Sequence, residues 1–447
     1  MTRLRSSRSA TSNIVSSASL AAAPSSTGAP AQSDLSQKLD EGRLTRWLKP
    51  RLIKQLDAMQ GGQITLIDGS QSYHLGQGGP LQVTVVVRHP RAWKRLAFGG
   101  TVGAAESYMD HDWDADDLVA LIRLFAINLD QVNGEMENGS ARFTRWLLNL
   151  AYRFQRNSVT GSKRNIAAHY DIGNDLFATF LDQAHWMYSS AVFPYPEASL
   201  EEASTYKLDI MLEKLDVQAH HHLLEIGTGW GGLAIHAAKS RGCKVTTTTI
   251  SEEQYNHTAE RIKQEGLEDR ITLLKQDYRE LAGTFDRVIS VEMIEAVGHQ
   301  YLDTYLAKID SLLNAEGQAM LQAITIRDQR FESAKRDMDF IKRYIFPGGF
   351  LPSHHAMLSS VMRKTSLNMV ALDEIGQHYA RTLREWRHRF EASLEAVRAQ
   401  GYDERFIRMW RYYLCYCEGG FIERSIGTCH LVLAKPQAKP APLTGAP

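Results

Sequence analysis

The chain has 447 residues, of which 43% are hydrophobic and 23% are charged, and its 51 Lys and Arg residues balance 51 Asp and Glu residues. This length suffices for two or three domains, and the composition is that of an ordinary globular protein. The lack of net charge argues against nucleic acid as a bulk electrostatic partner. The four cysteines, at positions 243, 415, 417 and 429, lack the C-x-x-C spacing of a metal site, so we expect buried, reduced thiols and no metal.

The first part of the chain is predicted to be an extension followed by a small α+β domain. Residues 1–33 are rich in Ser, Ala and Pro and lack the continuous apolar core of a cleavable signal, so we expect a disordered extension. The domain is predicted at 34–130. Its predicted elements are the helices Leu44–Leu56 and Asp114–Leu129 and the strands Gln63–Ile67 and Leu81–Val87.

The polar stretch at 131–163 is predicted to be a linker around a helix near Phe143–Phe154. Beyond it, helical and strand patterns alternate, with connections long enough for crossover helices. The sequence therefore predicts an α/β fold with a doubly wound, mostly parallel sheet at 164–434, and a Pro-rich, disordered tail at 435–447. The predicted strands of the sheet are His222–Ile226, Lys244–Ile250, Ile271–Leu274, Phe285–Val291, Gly317–Ile324 and Thr428–Ala434.

A glycine-rich turn follows the first predicted strand of this sheet. Glu225 ends the strand, and Gly227, Gly229 and Gly231 alternate through the turn that opens a helix. Glycine permits positive φ and a close approach of the backbone to a ligand, and the helix start offers free N–H groups. The turn is therefore predicted to bind a nucleotide-type cofactor. Gly232 completes the G-x-G-x-x-G spacing of a dinucleotide site, so a dehydrogenase stays open at this point.

The ends of the next two predicted strands favour S-adenosylmethionine as the cofactor. Thr249 and the following Gln254 can hydrogen-bond a ribose, but they stand where a dinucleotide site would hold an acid, which weakens the dehydrogenase interpretation. Asp277 and Tyr278 suit adenine, since the ring offers a face for stacking and the carboxylate accepts from the amino group. The alternative is a surface Asp beside a core Tyr.

Two acidic residues three positions apart, Glu292 and Glu295, follow the fourth predicted strand. Carboxylates at a strand end face a partly desolvated cleft, which is unusual for residues without a function. Glu295 is expected to face the cleft if a helix begins near Met293. A solvated glutamate in the first turn of that helix is the alternative.

These residues belong to a set of blocks through which the chain resembles the cyclopropane-fatty-acyl-phospholipid synthase family, including its mycolic-acid-modifying members. The resemblance runs from about residue 100 to residue 434 and implies a class I methyltransferase fold. The glycine turn is common to many methyltransferases, whereas His169–Asp175 and Tyr344–Gly349 are much more specific. The other matching blocks are Ala105–Asp110, Met187–Ser190, Leu224–Gly232, Thr249–Ser251, Gln276–Arg279, Phe285–Gly298 and Tyr379.

The resemblance implies a cofactor site for S-adenosylmethionine and a lipid-binding-like role for the N-terminal domain. To the contacts that it implies we add Glu225 and Gly231 from the glycine turn. The predicted cofactor-binding residues are Tyr188, Ser189, Glu225, Gly227, Gly229, Gly231, Thr249, Gln254, Asp277 and Tyr278.

The resemblance also implies an apolar tunnel for an acyl chain and a bicarbonate ion held near the sulfonium group. Glu295 and Tyr379 match family positions around that ion. The family commonly has Cys at the position of Ser190 and His at the positions of Gln322 and Ala296. A Gln side chain can donate a hydrogen bond, but it cannot carry a proton as His can. The predicted catalytic residues are Glu295, Tyr379, Ser190 and Gln322.

The expected reaction transfers a methyl(ene) carbon from S-adenosylmethionine to the cis double bond of an unsaturated phospholipid acyl chain, giving a cyclopropane ring. The faces of Tyr170, Tyr188 and Tyr379 are candidates for stabilising the carbocation that forms. The departures from the family pattern leave a methylene- or methyl-branched product open. A soluble small-molecule methyltransferase and a non-catalytic lipid-binding protein on the same scaffold are further alternatives.

We expect a cytoplasmic protein that associates peripherally with the inner face of the membrane and can form a homodimer. The chain has no apolar run long enough to serve as an anchor. The N-terminal domain, together with a basic surface that adjoins apolar residues, is expected to dock on anionic lipid, with a solvated helix face as the alternative for the basic group. The residues of this predicted surface are Lys335, Arg336, Lys342 and Arg343, beside Ile345-Phe346 and Phe350-Leu351.

Overall fold

The computed structural model describes residues 43–129 and 173–440, which belong to one compact unit, Leu39–Pro447. The predicted extension at 1–33, the linker at 131–163 and the helix near Phe143–Phe154 lie outside the described residues. None of the described helices is long and apolar enough to cross a membrane.

The N-terminal module is a four-stranded sheet with helices packed on it, in the strand order β2-β1-β3-β4. β1 pairs with β2 as an antiparallel hairpin and with β3 in parallel. Ile64, Leu66 and Val83 form its buried face. The elements are α1 (Arg43–Asp57), β1 (Gly62–Asp68), β2 (Gln71–Gly78), β3 (Leu81–Val87), α2 (Arg91–Met109), β4 (Trp113–Ala115) and α3 (Leu118–Ile127).

The structure adds the helix α2 (Arg91–Met109), which was not predicted, and differs from the prediction for this module in further places. The predicted helix Asp114–Leu129 begins later, because Trp113–Ala115 pairs with β3 as an edge strand. The Asp117 carboxylate then caps α3 by accepting the Ala120 N–H at 2.8 Å. Strand β2 was not predicted, since its Gln, Ser and Gly residues lack a strand-like apolar pattern.

The second sheet has seven strands in the order β10-β11-β9-β8-β5-β6-β7. The strands from β9 to β7 run parallel, and β11 and β10 are antiparallel additions at one edge. The predicted doubly wound, mostly parallel sheet is therefore confirmed. The strands are β5 (His222–Ile226), β6 (Lys244–Thr249), β7 (Ile271–Lys275), β8 (Phe285–Val291), β9 (Leu313–Ile326), β10 (Asn368–Glu374) and β11 (Ile426–Ala434).

The described helices that accompany this sheet are α4 (Asn174–Ala178), α5 (Leu200–Lys214), α6 (Gly232–Arg241), α7 (Glu252–Gln264), α8 (Leu302–Leu312), α9 (Asp328–Ala334), α10 (His354–Lys364), α11 (Gly376–Ala392), α12 (Leu394–Ala399) and α13 (Glu404–Ile422). The chain leaves β5 toward β6 and β7 on one side and returns to place β8 on the other side. The order of strands therefore reverses between β5 and β8, and this is the point at which such sheets bind their ligands.

The N-terminal module packs directly on α13, and one apolar cluster includes residues of both. Arg408 of α13 is buried and donates to the Tyr108 carbonyl at 2.6 Å and to the Asp114 carboxylate at 2.6 Å. Arg123 of α3 pairs with Glu423 at 2.6 Å. These contacts hold α2 and α3 against the larger sheet domain.

The predicted tail at 435–447 begins with residues that are held by hydrogen bonds. The Lys435 N–H donates to the Gly317 carbonyl at 2.9 Å, and its ammonium group pairs with Asp310 at 2.9 Å. The tail prediction is therefore wrong for its first residues, which continue the contacts of β11. Residues 441–447 lie outside the part of the chain that the structure describes.

Candidate active site

A cavity of about 720 Å³ lies at the carboxyl ends of β5, β6 and β8. It extends from the glycine turn to α2 and α3 of the N-terminal module, whose Phe98, Leu121 and Phe125 line it. Phe346, from the predicted family block Tyr344–Gly349, closes another part of the wall. Polar groups at the strand ends thus meet a mostly apolar chamber, and the volume is that of a ligand pocket.

The glycine turn forms one wall of this cavity, as the sequence predicted. Gly227 and Gly229 have φ values of 98° and 52°, which glycine adopts without a steric penalty. The Gly227 and Thr228 N–H groups donate to the Thr248 carbonyl at 3.1 and 2.9 Å and attach the turn to β6. A Cβ atom at Gly229 would meet no atom within 4 Å, so this position faces the open space of the cavity.

Gly231 lies behind the turn rather than in the cavity wall, and its contact with a cofactor stays a prediction. It is the N-cap of α6 with φ 85°. A Cβ atom there would come within 2.8 Å of Thr258 Cγ2 on α7. Gly231 therefore allows α6 and α7 to pack closely.

Glu225 ends β5, lines the cavity and is buried. Burial raises the pKa of its carboxyl to about 8, against a hydrogen bond of 2.6 Å donated by Thr247 Oγ1. The side chain is thus fixed by its neighbour on β6. The Glu225 carboxyl is the most strongly desolvated acid among the predicted cofactor-binding residues.

Thr249 and Gln254 meet at the end of β6, as predicted. Thr249 Oγ1 donates to Gln254 Oε1 at 2.9 Å and accepts the Ser251 N–H at 3.1 Å. Both residues line the cavity. Because the Gln254 amide oxygen receives a hydrogen bond from Thr249, its amide nitrogen is the group that a ribose hydroxyl would meet.

Asp277 and Tyr278 line the cavity beyond β7, but Asp277 already has a strong partner. Arg279 donates to both of its carboxylate oxygens, at 2.8 and 2.7 Å. Asp277 is buried to 4% exposure, and the Arg279 guanidinium lies 5.5 Å from the Tyr278 ring centroid. An adenine amino group would therefore share a carboxylate that Arg279 holds in place.

Tyr188 and Ser189 line the opposite wall, and Ser189 leads to a buried cation. Lys207 of α5 is fully buried and donates to Ser189 Oγ at 2.8 Å. Desolvation lowers the pKa of Lys207 to about 8, and the nearby carboxylates Glu292, Asp182 and Glu225 oppose that shift. The lysine thus balances part of the negative charge beneath the cavity floor.

Ser190, Gln322 and Tyr379, three of the predicted catalytic residues, converge on Glu292, which was predicted to lie at the strand end but not among the catalytic residues. Glu292 Oε1 accepts the Ser190 N–H at 2.9 Å and the Gln322 amide at 2.8 Å. Glu292 Oε2 accepts the Tyr379 hydroxyl at 2.7 Å. Glu292 and Tyr379 line the cavity, whereas Ser190 and Gln322 lie behind them. Ser190 and Gln322 therefore reach the cavity through Glu292, and their catalytic role stays a prediction.

The Gln322 amide is held in one orientation by a chain of hydrogen bonds. Lys214 Nζ lies 3.4 Å from His430 Nδ1, and His430 Nε2 lies 3.0 Å from Gln322 Oε1. Burial lowers the pKa of His430 well below its ordinary value, so the ring is neutral. Because lysine can only donate, the ring proton is on Nε2 and points to Gln322 Oε1. The Gln322 amide nitrogen must then face Glu292.

Glu295 also lines the cavity, in a 3₁₀ turn at Ile294–Ala296. Its Oε1 accepts the Ile324 N–H at 2.5 Å, while its buried Oε2 has no hydrogen-bond partner within the described parts of the chain. Burial, followed by the charge of Glu292, raises the pKa of Glu295 to about 8. Of this pair, Glu292 has three donors and holds the negative charge, and Glu295 holds the proton.

The residues around Glu292 do not fit a bicarbonate ion. The donors that the resemblance assigned to the ion, from Ser190, Gln322 and Tyr379, all point at the Glu292 carboxylate. A second anion there would find none of these three donors free and would face a buried carboxylate, which is costly. The expectation of bound bicarbonate is therefore not supported by the arrangement of these side chains.

The specific sequence blocks meet around the cavity. The Trp230 indole of the glycine turn donates to Asn174 Oδ1 at 2.8 Å, and Asn174 belongs to the block His169–Asp175. Tyr344 donates to Glu106 at 2.6 Å and so joins two further blocks. His169–Ile172, including Tyr170, lie outside the described residues.

Part of the basic surface predicted from the sequence is buried, whereas Arg336 and Arg343 are exposed, so docking on lipid stays a prediction. Lys342, Ile345 and Phe350 are buried, and Lys342 donates to the carbonyls of Ala334 and Asp337. Arg343 pairs with Glu106 at 3.1 Å. Phe346 and Phe350 of this segment line the cavity, and Lys342 and Arg343 have polar partners within the fold.

Comparison with known proteins agrees with this geometry. The family model described as mycolic acid cyclopropane synthetase matches residues 157–431. The tuberculostearic acid methyltransferase UfaA1 of Mycobacterium tuberculosis is 37% identical over 77% of this chain and 82% of its own length. The cyclopropane-fatty-acyl-phospholipid synthase of Escherichia coli K12 is 35% identical over 80% of this chain and 89% of its own length.

Solved structures show the same fold. The cyclopropane synthase MmaA2 from Mycobacterium tuberculosis aligns with a TM-score of 0.57 and 27% identity, over 61% of this chain and 98% of its own. The mycolic acid cyclopropane synthase CmaA1, complexed with SAH and CTAB, aligns with the same score, identity and coverage. This chain therefore belongs to the mycolic acid cyclopropane synthetase family of S-adenosylmethionine-dependent methyltransferases.

Proposed function

We propose that this protein transfers a methyl(ene) carbon from S-adenosylmethionine to the cis double bond of an unsaturated phospholipid acyl chain and so forms a cyclopropane ring. The single observation that carries this proposal is the cavity, in which the polar cofactor wall and the apolar chamber of the N-terminal module are continuous. A small polar substrate would leave the apolar chamber without a purpose. Family membership sets aside a non-catalytic lipid-binding role.

The residues present fit S-adenosylmethionine. Gly227 and Gly229 keep one wall clear of side chains, and Gln254 and Asp277 offer a donor and an acceptor at neighbouring strand ends. When bound, S-adenosylmethionine supplies an electrophilic methyl group on a positively charged sulfur. Lys207 sits behind Ser189 rather than in the cavity wall, so its charge is kept away from that sulfur.

The cavity has the properties that an alkene nucleophile requires. Its apolar wall positions the chain and excludes water from the carbocation that forms when the double bond attacks the methyl group. The ring of Tyr188 is held by Phe177 and Trp386, at centroid distances of 5.0 and 5.3 Å. Aromatic faces in this wall and the anionic Glu292 stabilise a neighbouring positive charge.

A methylene-branched chain is the second candidate product. Ring closure uses the electron pair of a C–H bond of the transferred methyl group to form a C–C bond. If a hydride first migrates along the chain, the electron pair forms a C=C bond instead. The departures from the family pattern at Ser190, Ala296 and Gln322, together with the carboxylate of Glu292, support a methylene-branched chain as the second candidate product. A saturated methyl branch requires a further hydride donor.

The proposal is tested with purified protein, S-adenosylmethionine labelled in its methyl group and vesicles of a monounsaturated phospholipid. We expect the label in acyl chains that have gained one methylene unit. A product that resists mild catalytic hydrogenation is a cyclopropane, and one that takes up hydrogen is a methylene chain. Absence of label from the acyl chains would reject both products.

Peripheral association with an anionic membrane is part of this proposal, and α1 supports it. Leu44 and Trp47 are 45% and 56% exposed on this helix, beside the exposed Arg43, Arg46 and Arg51. Exposed apolar and basic side chains on one helix are typical of an interfacial contact.

A further inference from the structure

We propose that the Glu292 carboxylate is a built-in anion that takes the place of bicarbonate and acts as the base that accepts the proton in the last step of the reaction. This inference rests on the proposed function, because it assigns a catalytic residue to the same site. It makes the protein independent of dissolved bicarbonate.

Three hydrogen-bond donors converge on the Glu292 carboxylate. The Ser190 N–H, the Gln322 amide and the Tyr379 hydroxyl come from residues far apart in sequence and meet on one carboxylate, at 2.9, 2.8 and 2.7 Å. The Gln322 orientation is fixed in turn by the buried His430 at 3.0 Å. So many preset donors form a site for an anion, and Glu292 fills it.

The backbone conformation of Glu292 also supports this role. Glu292 has a φ of 48°, a left-handed conformation that costs a non-glycine residue about 1 kcal/mol or more. The Glu292 N–H donates to the Gln322 carbonyl at 2.8 Å, which holds this conformation at the end of β8. Glycine would suit the position without strain. The backbone strain thus falls on the residue whose carboxylate meets the three donors.

The acid–base chemistry of the Glu292 side chain is suited to this role as well. Burial raises the pKa of Glu292, so its anion is a stronger base than an exposed carboxylate, while the three donors and the charge of Lys207 keep it ionised. Tyr379 cannot compete as a base, since burial and Glu292 raise its pKa well above the ordinary value. Glu292 lines the cavity and can therefore reach a substrate.

The step balances without another reactant. A C–H bond of the transferred methyl group breaks. Its electron pair forms the C–C bond of the ring with the cationic carbon one position away, or, once a hydride has migrated so that the cation lies on the methyl-bearing carbon, the C=C bond of a methylene chain. The proton moves to the Glu292 carboxylate, which is neutral after the step and returns the proton to solvent when the products leave. No oxidant or reductant is consumed.

The test compares Glu292→Gly with Glu292→Gln in buffer freed of carbonate. Glycine tolerates a φ of 48° and opens a space for an ion, whereas glutamine keeps the shape and removes the base. The wild-type protein should be fully active without bicarbonate. Both variants should lose at least about 100-fold in kcat, and added bicarbonate or formate should restore activity to Glu292→Gly alone.

A binding measurement gives a readout that does not depend on turnover. Calorimetric titration of bicarbonate, with S-adenosylhomocysteine present, should show binding to Glu292→Gly and none to the wild-type protein. Unchanged affinity for S-adenosylhomocysteine in each variant shows that the fold is intact. Bicarbonate-dependent activity or bicarbonate binding in the wild-type protein would overturn the inference, as would full activity of Glu292→Gly without added anion. A wild-type protein that is inactive on every acyl chain rejects the proposed function instead, and the titration still decides the inference.

Discussion

Two buried carboxyl groups, Glu292 and Glu295, share the acidic chemistry of the cavity. Glu292 accepts three hydrogen bonds, whereas the Oε2 atom of Glu295 has no partner among the described residues. Two desolvated carboxylates in contact with one chamber cannot both ionise without a large cost. The pair therefore holds one negative charge and one proton at neutral pH.

This arrangement predicts that Glu295 makes the stability of the protein depend on pH. Its pKa is raised from 4.5 to about 8 in the folded state, so its contribution is fully present below about pH 4.5 and is lost as the pH rises through 8. Glutamine mimics the protonated acid at every pH. Relative to Glu295→Gln, the wild-type free energy of unfolding should fall by on the order of 3 kcal/mol from pH 5 to above pH 8.

Urea unfolding of the two proteins across this range measures the effect, and the exposed Glu268→Gln serves as the control. The control should show a difference from the wild type that does not change with pH. A constant difference between Glu295→Gln and the wild type would contradict the protonated state assigned to Glu295.

The sequence indicated some of these residues and could not indicate the others. Glu295 and Tyr379 were found because they match family blocks. The role of Glu292 depends on a positive φ and on the meeting of residues 190, 322 and 379, which no local pattern shows. Lys207 did leave a signal, since it lies four residues from Ala203 and from Met211 on the buried face of α5. A lysine at such a position indicates a buried charge partner.

At the scale of elements, the glycine turn is the part that sequence predicted best. β5 and β8 were predicted to the residue, because each is a short, largely buried parallel strand in which apolar residues such as Leu223, Leu224, Val288 and Ile289 dominate. β10 was missed because it is an edge strand whose side chains are only half-buried, so its apolar residues do not alternate. The positions that hold chemistry are the ends of the well-predicted strands.

The turn predicts a specific effect of adding a side chain at Gly229. Gly229 and Gly266 both have a positive φ, 52° and 63°. A Cβ atom added at either position would meet no atom within 4 Å. Both alanine variants should lose about 1 kcal/mol of stability. Only Gly229→Ala places a methyl group in the cavity, so it alone should weaken S-adenosylmethionine binding by at least about tenfold.

Calorimetric titration of S-adenosylmethionine into both variants measures this difference. Because Gly266 lies in the turn after α7 and does not line the cavity, Gly266→Ala reports the backbone strain by itself. Equal affinities in the two variants would show that the cofactor does not pass close to Gly229.

At the scale of the whole molecule, the N-terminal module and the sheet domain enclose one cavity. Phe98, Leu121 and Phe125 reach it from α2 and α3, and Arg408 of α13 attaches to α2 and β4 through Tyr108 and Asp114. Sequence patterns predicted the two parts separately. Their shared wall arises from contacts between residues about 300 positions apart, such as Arg123 and Glu423, which periodicity cannot reveal.

The exposed residues of α1 lead to a prediction about how the whole protein binds a membrane surface. If α1 contacts the membrane, Trp47→Ala should weaken binding to vesicles that contain anionic phospholipid by about tenfold, since the exposed indole is lost from the contact. Co-sedimentation at rising salt concentration measures this binding. Met362→Ala, which removes a 78% exposed side chain from α10, is the control and should bind like the wild type. Equal loss in both variants, or binding that ignores salt, would place the contact elsewhere.

The central claim is that the cavity joins a methyl donor to the double bond of an acyl chain. Methyl-labelled S-adenosylmethionine is incubated with the protein and vesicles of either monounsaturated or fully saturated phospholipid, with Gly229→Ala as the control for cofactor binding. We predict label in the acyl chains of the unsaturated lipid alone, at the former double bond, and much less with Gly229→Ala. Label in the saturated lipid, in the head group, or in no lipid at all would contradict the account.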